Sequence, residues 1–236
     1  MRNRKYLIGA LAGVIGVLAF SGVASAVPTS QTLSTTLSPT KQDKKVFGGV
    51  SLHNIISTNF DNFATSQSPK TTTFSIDPNV KFVGGNIPVC ALSQIQNKPT
   101  ATAQAACPQS ITGGGSVEVN GGALKGTVTF FRGASPQDIF VHTDIGGALI
   151  LDIIGQISGK TLTFTNIPNT PGNVLTKFDT TFNKRKTGKK TWYVNARCGK
   201  KKKWTTTETT NFYSGETLSA SSSGKCTQKK SKGKKK

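Results

Sequence analysis

Apolar residues recur at every second position in short runs along this chain, and turn residues separate one run from the next. Such alternation places one face of a β-strand in a core and the other in water. Ten or more runs of this kind occur, which is too many for a single open sheet. The pattern predicts an all-β fold in which two antiparallel sheets pack as a β-sandwich, Ig-like or jelly-roll-like, with a closed β-barrel as the alternative.

The strand-like runs carry β-branched or aromatic residues in phase and cover residues 50–58, 71–76, 116–120, 125–131, 139–143, 148–157, 161–167, 192–198, 204–212 and 218–222. Asn120-Gly121-Gly122 and Gly146-Gly147 lie between runs and predict hairpin turns. Helix-tolerant sequence occurs between Cys90 and Cys107, where we expect a short helix or an ordered loop. Gly113 to Gly115 lack the Lys-Ser/Thr of a phosphate loop and predict a turn or bulge before a strand.

The N-terminus has the three parts of a secretory signal. Arg2, Arg4 and Lys5 precede an apolar or glycine stretch over residues 6–20, and Ala24-Ser25-Ala26 supplies small residues for cleavage. We expect residues 1–26 to be a signal peptide, with a retained membrane anchor as the alternative. No later stretch is apolar enough to span a bilayer, so the sequence predicts a secreted protein, extracellular or associated with the cell wall.

Composition divides the rest of the chain into three segments. Residues 27–45 are rich in Ser, Thr and Pro without apolar periodicity and predict a disordered leader. Residues 46–226 contain the strand-like runs and predict a single β-sandwich domain. Residues 227–236 are dominated by Lys and small polar residues and predict a disordered tail.

The predicted mature chain contains four cysteines, Cys90, Cys107, Cys198 and Cys226. An even number of cysteines in an exported protein indicates disulfide bonds, and four allow three pairings. We favour the local pairs Cys90–Cys107 and Cys198–Cys226. No Cys-x-x-Cys or close Cys/His pair is present, which argues against a zinc site, and no other metal or cofactor is expected.

Positive charge is concentrated at the C-terminal end. The chain has 30 basic and 10 acidic residues, and 18 of the basic but only three of the acidic residues lie in 177–236. The predicted polyanion-binding residues are Lys184, Arg185, Lys186, Lys189, Lys190, Lys200, Lys201, Lys202, Lys203, Lys229 and Lys230. Lysine lacks the bidentate fork of arginine, so we expect non-specific binding and no sequence-specific nucleic-acid recognition. The alternative is that these lysines keep a strand-rich protein soluble.

No catalytic constellation stands out. His142 lies two residues from Asp144 and predicts a surface His–Asp pair, while His53 has no acidic neighbour in sequence. A serine hydrolase would need a nucleophile on a strained turn, and no Gly-x-Ser-x-Gly motif is present. The acidic residues single out no pair for glycoside hydrolysis. We therefore expect no catalytic residues and no enzymatic activity, with a secreted hydrolase as a less favoured alternative.

A resemblance extends over roughly residues 46–230. The motifs that carry it are Ser-Pro-Lys-Thr-Thr-Thr-Phe-Ser-Ile-Asp at 68–77, Ile-Pro-Val-Cys at 87–90, Cys-Pro at 107–108, Gly-Gly-Gly-Ser at 113–116, and the ending Trp192, Cys198, Trp204, Cys226. The chain resembles a family of secreted proteins from high-GC Gram-positive bacteria whose activity is not established. The resemblance implies secretion and a β-sandwich, and it implies no catalytic residue or ligand.

Charge and composition together favour a secreted non-enzymatic protein that is held at the cell envelope by its cationic C-terminal region. The expected partners are anionic cell-envelope polymers or other polyanions, bound non-specifically, and the oligomeric state stays open. The alternative is a carbohydrate-binding or ligand-binding module. Its stacking face would use the aromatic residues Trp192, Tyr193, Trp204, Phe212 and Tyr213, although strand alternation favours a core position for Trp192 and Trp204.

Overall fold

A computed structural model describes residues 27–135 and 137–229, and the predicted signal peptide lies outside them. The described strands are β1 (Pro28–Ser38), β2 (Lys41–Gln42), β3 (Gly48–Gly49), β4 (Ser51–Phe60), β5 (Pro69–Ile76), β6 (Val80–Phe82), β7 (Ile111–Val119), β8 (Leu124–Arg132), β9 (Asp138–Ile145), β10 (Leu149–Ser158), β11 (Thr161–Phe164), β12 (Leu175–Phe182), β13 (Val194–Ala196), β14 (Lys203–Phe212), β15 (Thr217–Lys225) and β16 (Thr227–Gln228). The helices are α1 (Leu92–Ile95) and α2 (Thr100–Ala106).

Eleven of these strands form one antiparallel sheet in the order β1-β4-β12-β7-β8-β9-β10-β11-β5-β14-β15. Its two outer strands lie side by side, and the Thr35 amide on β1 donates to Ser222 Oγ on β15 at 2.8 Å. The sheet therefore nearly closes into a barrel. The all-β fold class is confirmed. Strands from opposite sides of the ring face each other across one core, as the layers of a sandwich would.

Strand β1 lies in the segment predicted to be a disordered leader, and that prediction is wrong for residues 28–38. β1 pairs with β4 along its whole length. Leu33, Thr35 and Leu37 face inward, while Ser34 and Thr36 between them are exposed. Most polar residues of the segment thus belong to the outward face of an alternating strand, and β-branched Thr suits extended backbone.

The C-terminal segment is also ordered further than the sequence predicted. β16 falls within the tail that was expected to be disordered, and it pairs in parallel with β2. The Lys229 amide donates to the Gln42 carbonyl at 2.8 Å. These backbone bonds anchor the start of the tail beside the end of β1. Residues 230–236 lie outside the described residues.

Aromatic side chains fill one half of the barrel interior. The rings of Phe130 and Phe182 stack with centroids 4.4 Å apart. Phe82 and Tyr193 approach the same pair from the residues that cover the barrel end, with edge contacts of 5.2 Å for Phe82–Phe182 and 5.6 Å for Phe82–Tyr193. Such offset and edge-on contacts are the favoured geometries for aromatic rings.

The outer face of β8 and β9 is also buried, because the two helices pack on it. Cys90 and Cys107 form a disulfide that closes this helical segment, as predicted. Ile95 and Ala103 of the helices pack with Phe131 and Phe140 of the strands in a second small core. The helical segment is confirmed, and it explains why β9 is buried on both faces.

A three-stranded sheet in the order β3-β13-β6 covers one end of the barrel. Val194 and Ala196 of its central strand are fully buried and join the barrel core. Cys198, two residues after β13, forms the second predicted disulfide with Cys226. We call residues 39–50, 77–87, 183–202 and 226–229 the cap, and the barrel end that they cover the capped end.

Gly113 to Gly115 lie inside β7 and not in a turn before it. A register shift between Ile111 and Gly113 provides the bulge that the sequence allowed. A Cβ atom on Gly113 would stand 2.1 Å from the Thr181 carbonyl oxygen on the neighbouring strand. Glycine is needed here because the backbones of β7 and β12 approach too closely for a side chain.

Candidate functional site

The strand register brings the cationic segments to one end of the barrel. At the capped end, β1 finishes opposite the start of β4, and Phe182 at the end of β12 lies beside Leu52. Across the seam where β1 lies beside β15, Lys203 at the start of β14 pairs with Lys225 at the end of β15. Because the strands alternate in direction, the connections 39–50, 183–202 and 226–229 all emerge at this end.

The first lysine group surrounds the Cys198–Cys226 disulfide. Lys200 to Lys203 form the turn that enters β14, and all four side chains are exposed. The exposed Lys225 lies beside its direct partner Lys203 on the neighbouring strand. Lys229, three residues after Cys226, is also exposed. The Gln228 side chain donates to the carbonyls of Cys198 and Gly199, at 3.1 and 3.0 Å. The Cys198–Cys226 disulfide and the side-chain amide of Gln228 together hold this turn in place.

The second lysine group lies on a hairpin between β12 and β13. Lys186 and Trp192 form an isolated bridge at its base, and the Thr187 amide donates to the Thr191 carbonyl. Lys189 and Lys190 at its tip are exposed. Lys184 is also exposed, and its Nζ lies 5.8 Å from the centre of the Trp192 ring, within the range of a cation–π contact.

Two predicted polyanion-binding residues differ from the rest. The half-buried guanidinium of Arg185 donates to the carbonyls of Gln109 and Ile111, and burial lowers its pKa. Its hydrogen bonds therefore tie the hairpin to the start of β7 and leave fewer donors for a ligand. Lys230 lies outside the described residues.

No cap lysine forms an ion pair within residues 27–135 and 137–229, where the ion pairs involve His53, His142 and Lys177. Carboxylates at the capped end bind backbone amides instead. Asp43 accepts from the amides of Lys45 and Val46, and these bonds lower its pKa. Asp77 accepts from the amides of Asn79 and Thr205. The positive charge of the cap is therefore not neutralised by short ion pairs.

The predicted pairing of His142 with Asp144 is wrong, and so is the surface position. His142 is fully buried beneath the helices, and its Nδ1 lies 2.7 Å from Asp152 Oδ1 on the adjacent strand. Asp144 accepts from the amides of Thr100 and Gly147, which lower its pKa. Residues two apart on a strand are further from each other than direct cross-strand partners, so His142 pairs with its partner on β10.

His53 also has a carboxylate partner that the sequence did not reveal. Its Nε2 lies 2.7 Å from Asp179 Oδ1, across the β4–β12 pair on the outer surface of the barrel. Lys177 approaches both Asp179 and Glu118 on the same surface. These side chains form a surface charge network with neither a cavity nor a nucleophile among its contacts.

The aromatic residues near the cationic segments do not form a common stacking face. Trp204 is 2% exposed, and its indole N–H donates to the Arg197 carbonyl at 2.8 Å, so its predicted core position is confirmed. Trp192 is half-buried against Gly49, Tyr193 and Phe212 are buried, and Tyr213 lies at the opposite end of the barrel.

Glu208 is a buried acidic residue that is absent from the site residues predicted from the sequence. It is 1% exposed, it faces the barrel interior, and burial raises its pKa to about 7. Its partner Gln31 belongs to the segment assigned to the disordered leader. Trp204, Thr206, Glu208, Thr210 and Phe212 share the inward face of β14, so an acidic residue in the apolar phase of a strand was the available signal.

Across the described parts of the chain, no helix is both long and apolar enough to cross a membrane. The same residues hold no group of three or more His, Cys, Asp or Glu side chains arranged to bind a metal ion.

Comparisons with known proteins give no family. No protein-family model matches the chain, and no curated protein matches it. Among solved structures, the chain is similar to the crystal structure of BslA, a bacterial hydrophobin, with 12% identity and a TM-score of 0.36. That similarity covers 86% of this chain and 98% of BslA.

Proposed function

We propose that the protein is secreted, has no enzymatic activity, and is held at the cell envelope by attraction between its cap and anionic envelope polymers. The observation that carries the proposal is the collection of exposed lysines at one end of the barrel, without short ion pairs among the described residues. Charges of one sign on one face produce a directional field that attracts a polyanion. The two disulfides support secretion, because such bonds persist in oxidising compartments.

The chemistry of the cap favours non-specific binding. Its exposed cations are lysines, which act as hydrated point charges, whereas the half-buried Arg185 is already bonded to backbone carbonyls. Attraction between exposed point charges weakens as salt shortens the screening length, which is about 10 Å at 0.1 M ionic strength. Binding should therefore depend on salt and on the charge density of the polymer more than on its exact structure.

The test measures binding of the disulfide-bonded protein to isolated Gram-positive cell walls as a function of salt. The variant Lys200→Gln/Lys201→Gln removes two charges from the cap and leaves the fold intact, because both side chains are exposed. We expect affinity at low ionic strength to fall by roughly fivefold per lysine, hence about 25-fold for the pair. Moderate salt should release the wild-type protein from the walls.

The matched control is Lys70→Gln/Lys125→Gln, which removes two exposed charges at the end of the barrel away from the cap. This control should bind the walls as the wild type does. Cell walls stripped of their anionic polymers should bind neither the wild-type protein nor the control variant. Equal loss of affinity in both double variants, or undiminished binding to stripped walls, would rule out the cap as an anchor.

A further inference from the structure

The barrel has an interior cavity of about 130 Å³ in the half away from the cap. Most of its wall is apolar and comes from strands on both sides of the ring, including Ile56, Phe74, Val141, Leu151 and Phe178. Pro168 and Thr170, in the connection between β11 and β12, extend the lining to the uncapped end of the barrel. Interior cavities of small β-barrels are common sites for small ligands.

Two buried polar atoms at the wall of this cavity have no protein partner. Glu208 Oε1 accepts from Gln31 Nε2 at 3.3 Å and from Thr210 Oγ1 at 3.2 Å. Within the described residues, Glu208 Oε2 and Gln31 Oε1 are buried and have no hydrogen-bond partner. Both side chains line the cavity. Buried polar atoms are nearly always satisfied, so this pair points to a missing hydrogen-bonding group inside the barrel.

We propose that the cavity binds a small uncharged molecule with an apolar body and a single hydroxyl group, and that the hydroxyl bonds to Glu208 Oε2 and Gln31 Oε1. A hydroxyl both donates and accepts, so it can donate to the Gln31 oxygen and accept from a protonated Glu208. The apolar wall selects the body of the molecule. An apolar cavity of about 150 Å³ in another protein holds benzene, which sets the size of the ligand at about one ring or a short chain.

The protonation of Glu208 supports an uncharged ligand. Burial raises the pKa of this carboxyl to about 7, so it carries a proton in mildly acidic solution and can act as a donor. The neighbouring strands present Phe74 on β5, Ala220 on β15 and Gln31 on β1 towards it, none of which titrates. No other titratable side chain lines the cavity among the described residues. A cationic ligand would have to ionise Glu208 inside an apolar wall.

The test titrates the protein with benzyl alcohol, toluene and benzylamine at pH 6 and follows methyl resonances by NMR. Benzyl alcohol should shift the methyl groups of Val141, Leu151 and Ile153, which line the cavity, and leave those of Val80 and Val194 in the cap unchanged. We expect benzyl alcohol to bind about tenfold more tightly than toluene, because it satisfies the two buried oxygens.

The variant Glu208→Leu removes the carboxyl and keeps an apolar wall. It should lower the affinity for benzyl alcohol about tenfold and leave the affinity for toluene unchanged or higher. Glu208→Gln, which keeps the shape of the side chain, should bind benzyl alcohol with intermediate affinity. Failure of both benzyl alcohol and toluene to shift the cavity methyl groups would overturn the proposal, as would equal affinity of wild type and Glu208→Leu for benzyl alcohol. Tighter binding of benzylamine than of benzyl alcohol would also contradict it.

Discussion

Replacing Glu208 by Gln should change the unfolding free energy more favourably at pH 8 than at pH 4, and the two changes should differ by about 3 kcal/mol. Burial raises the pKa of the Glu208 carboxyl from 4.5 to about 7. A carboxyl whose pKa is higher in the folded protein contributes stability in full below the unfolded pKa and loses it as pH rises through the folded pKa. The contribution therefore falls between about pH 4.5 and pH 7, and 2.5 pKa units correspond to roughly 3 kcal/mol.

Urea unfolding of wild type and Glu208→Gln at a series of pH values measures this effect. The difference in unfolding free energy between the two proteins should grow with pH across that window and then level off. Asp61→Asn, which neutralises an exposed carboxylate, serves as the control and should leave the pH dependence of the wild type in place. Parallel stability curves for wild type and Glu208→Gln would mean that Glu208 is not buried as described.

Removing the Cys198–Cys226 disulfide should lower the unfolding free energy and weaken binding to cell walls. The bond closes a loop with a sequence separation of 28 residues, for which loop entropy gives about 3.6 kcal/mol. The same bond fixes the turn that carries Lys200 to Lys203 against the end of β15. Cys198→Ala/Cys226→Ala should therefore lose both stability and part of its affinity for anionic walls.

The second disulfide offers a matched control for this variant. Cys90–Cys107 has a sequence separation of 17, for which the same model gives about 3 kcal/mol, and it closes the helical segment away from the turn that carries Lys200 to Lys203. Cys90→Ala/Cys107→Ala should therefore be destabilised by a similar amount. At a temperature where both variants are folded, it should bind walls at low salt as the wild type does. If the two variants lose binding equally, the turn that carries Lys200 to Lys203 does not contribute specifically to wall binding.

Local patterns in the sequence predicted much of the fold. Alternation identified most strands, the Asn120-Gly121-Gly122 and Gly146-Gly147 turns connect β7 to β8 and β9 to β10, and both disulfides form between the cysteines nearest in sequence. Each of these features depends on residues close together in the chain. A period of two and a two-residue turn are visible in a short window, so no knowledge of the tertiary fold is required.

The features that the sequence did not reveal depend on distant partners. β1 has few apolar residues and becomes a strand because β4 pairs with it and Leu33 and Leu37 reach the core. Gln31 meets Glu208 only because the closing sheet brings β1 close to β14 and β15, whereas His142 meets Asp152 through the register of the β9–β10 hairpin. The exposed lysines lie together at the capped end because of the directions of the strands. Counting charges along the sequence cannot reveal those directions.

Closure of the barrel by β1 is the central claim, because it creates the Gln31–Glu208 pair and places the C-terminal lysines beside the end of β1. Amide hydrogen exchange across residues 28–38 tests it most directly. The Thr35 amide points to β15, so alternation directs the amides of Ser34 and Thr36 to β4. We expect the amides of Ser34, Thr35 and Thr36 to exchange far more slowly than in an unfolded peptide. Exchange of the Thr35 amide at its unfolded-peptide rate would contradict closure between β1 and β15, even if the Ser34 and Thr36 amides, which report the β1–β4 pairing, exchange slowly.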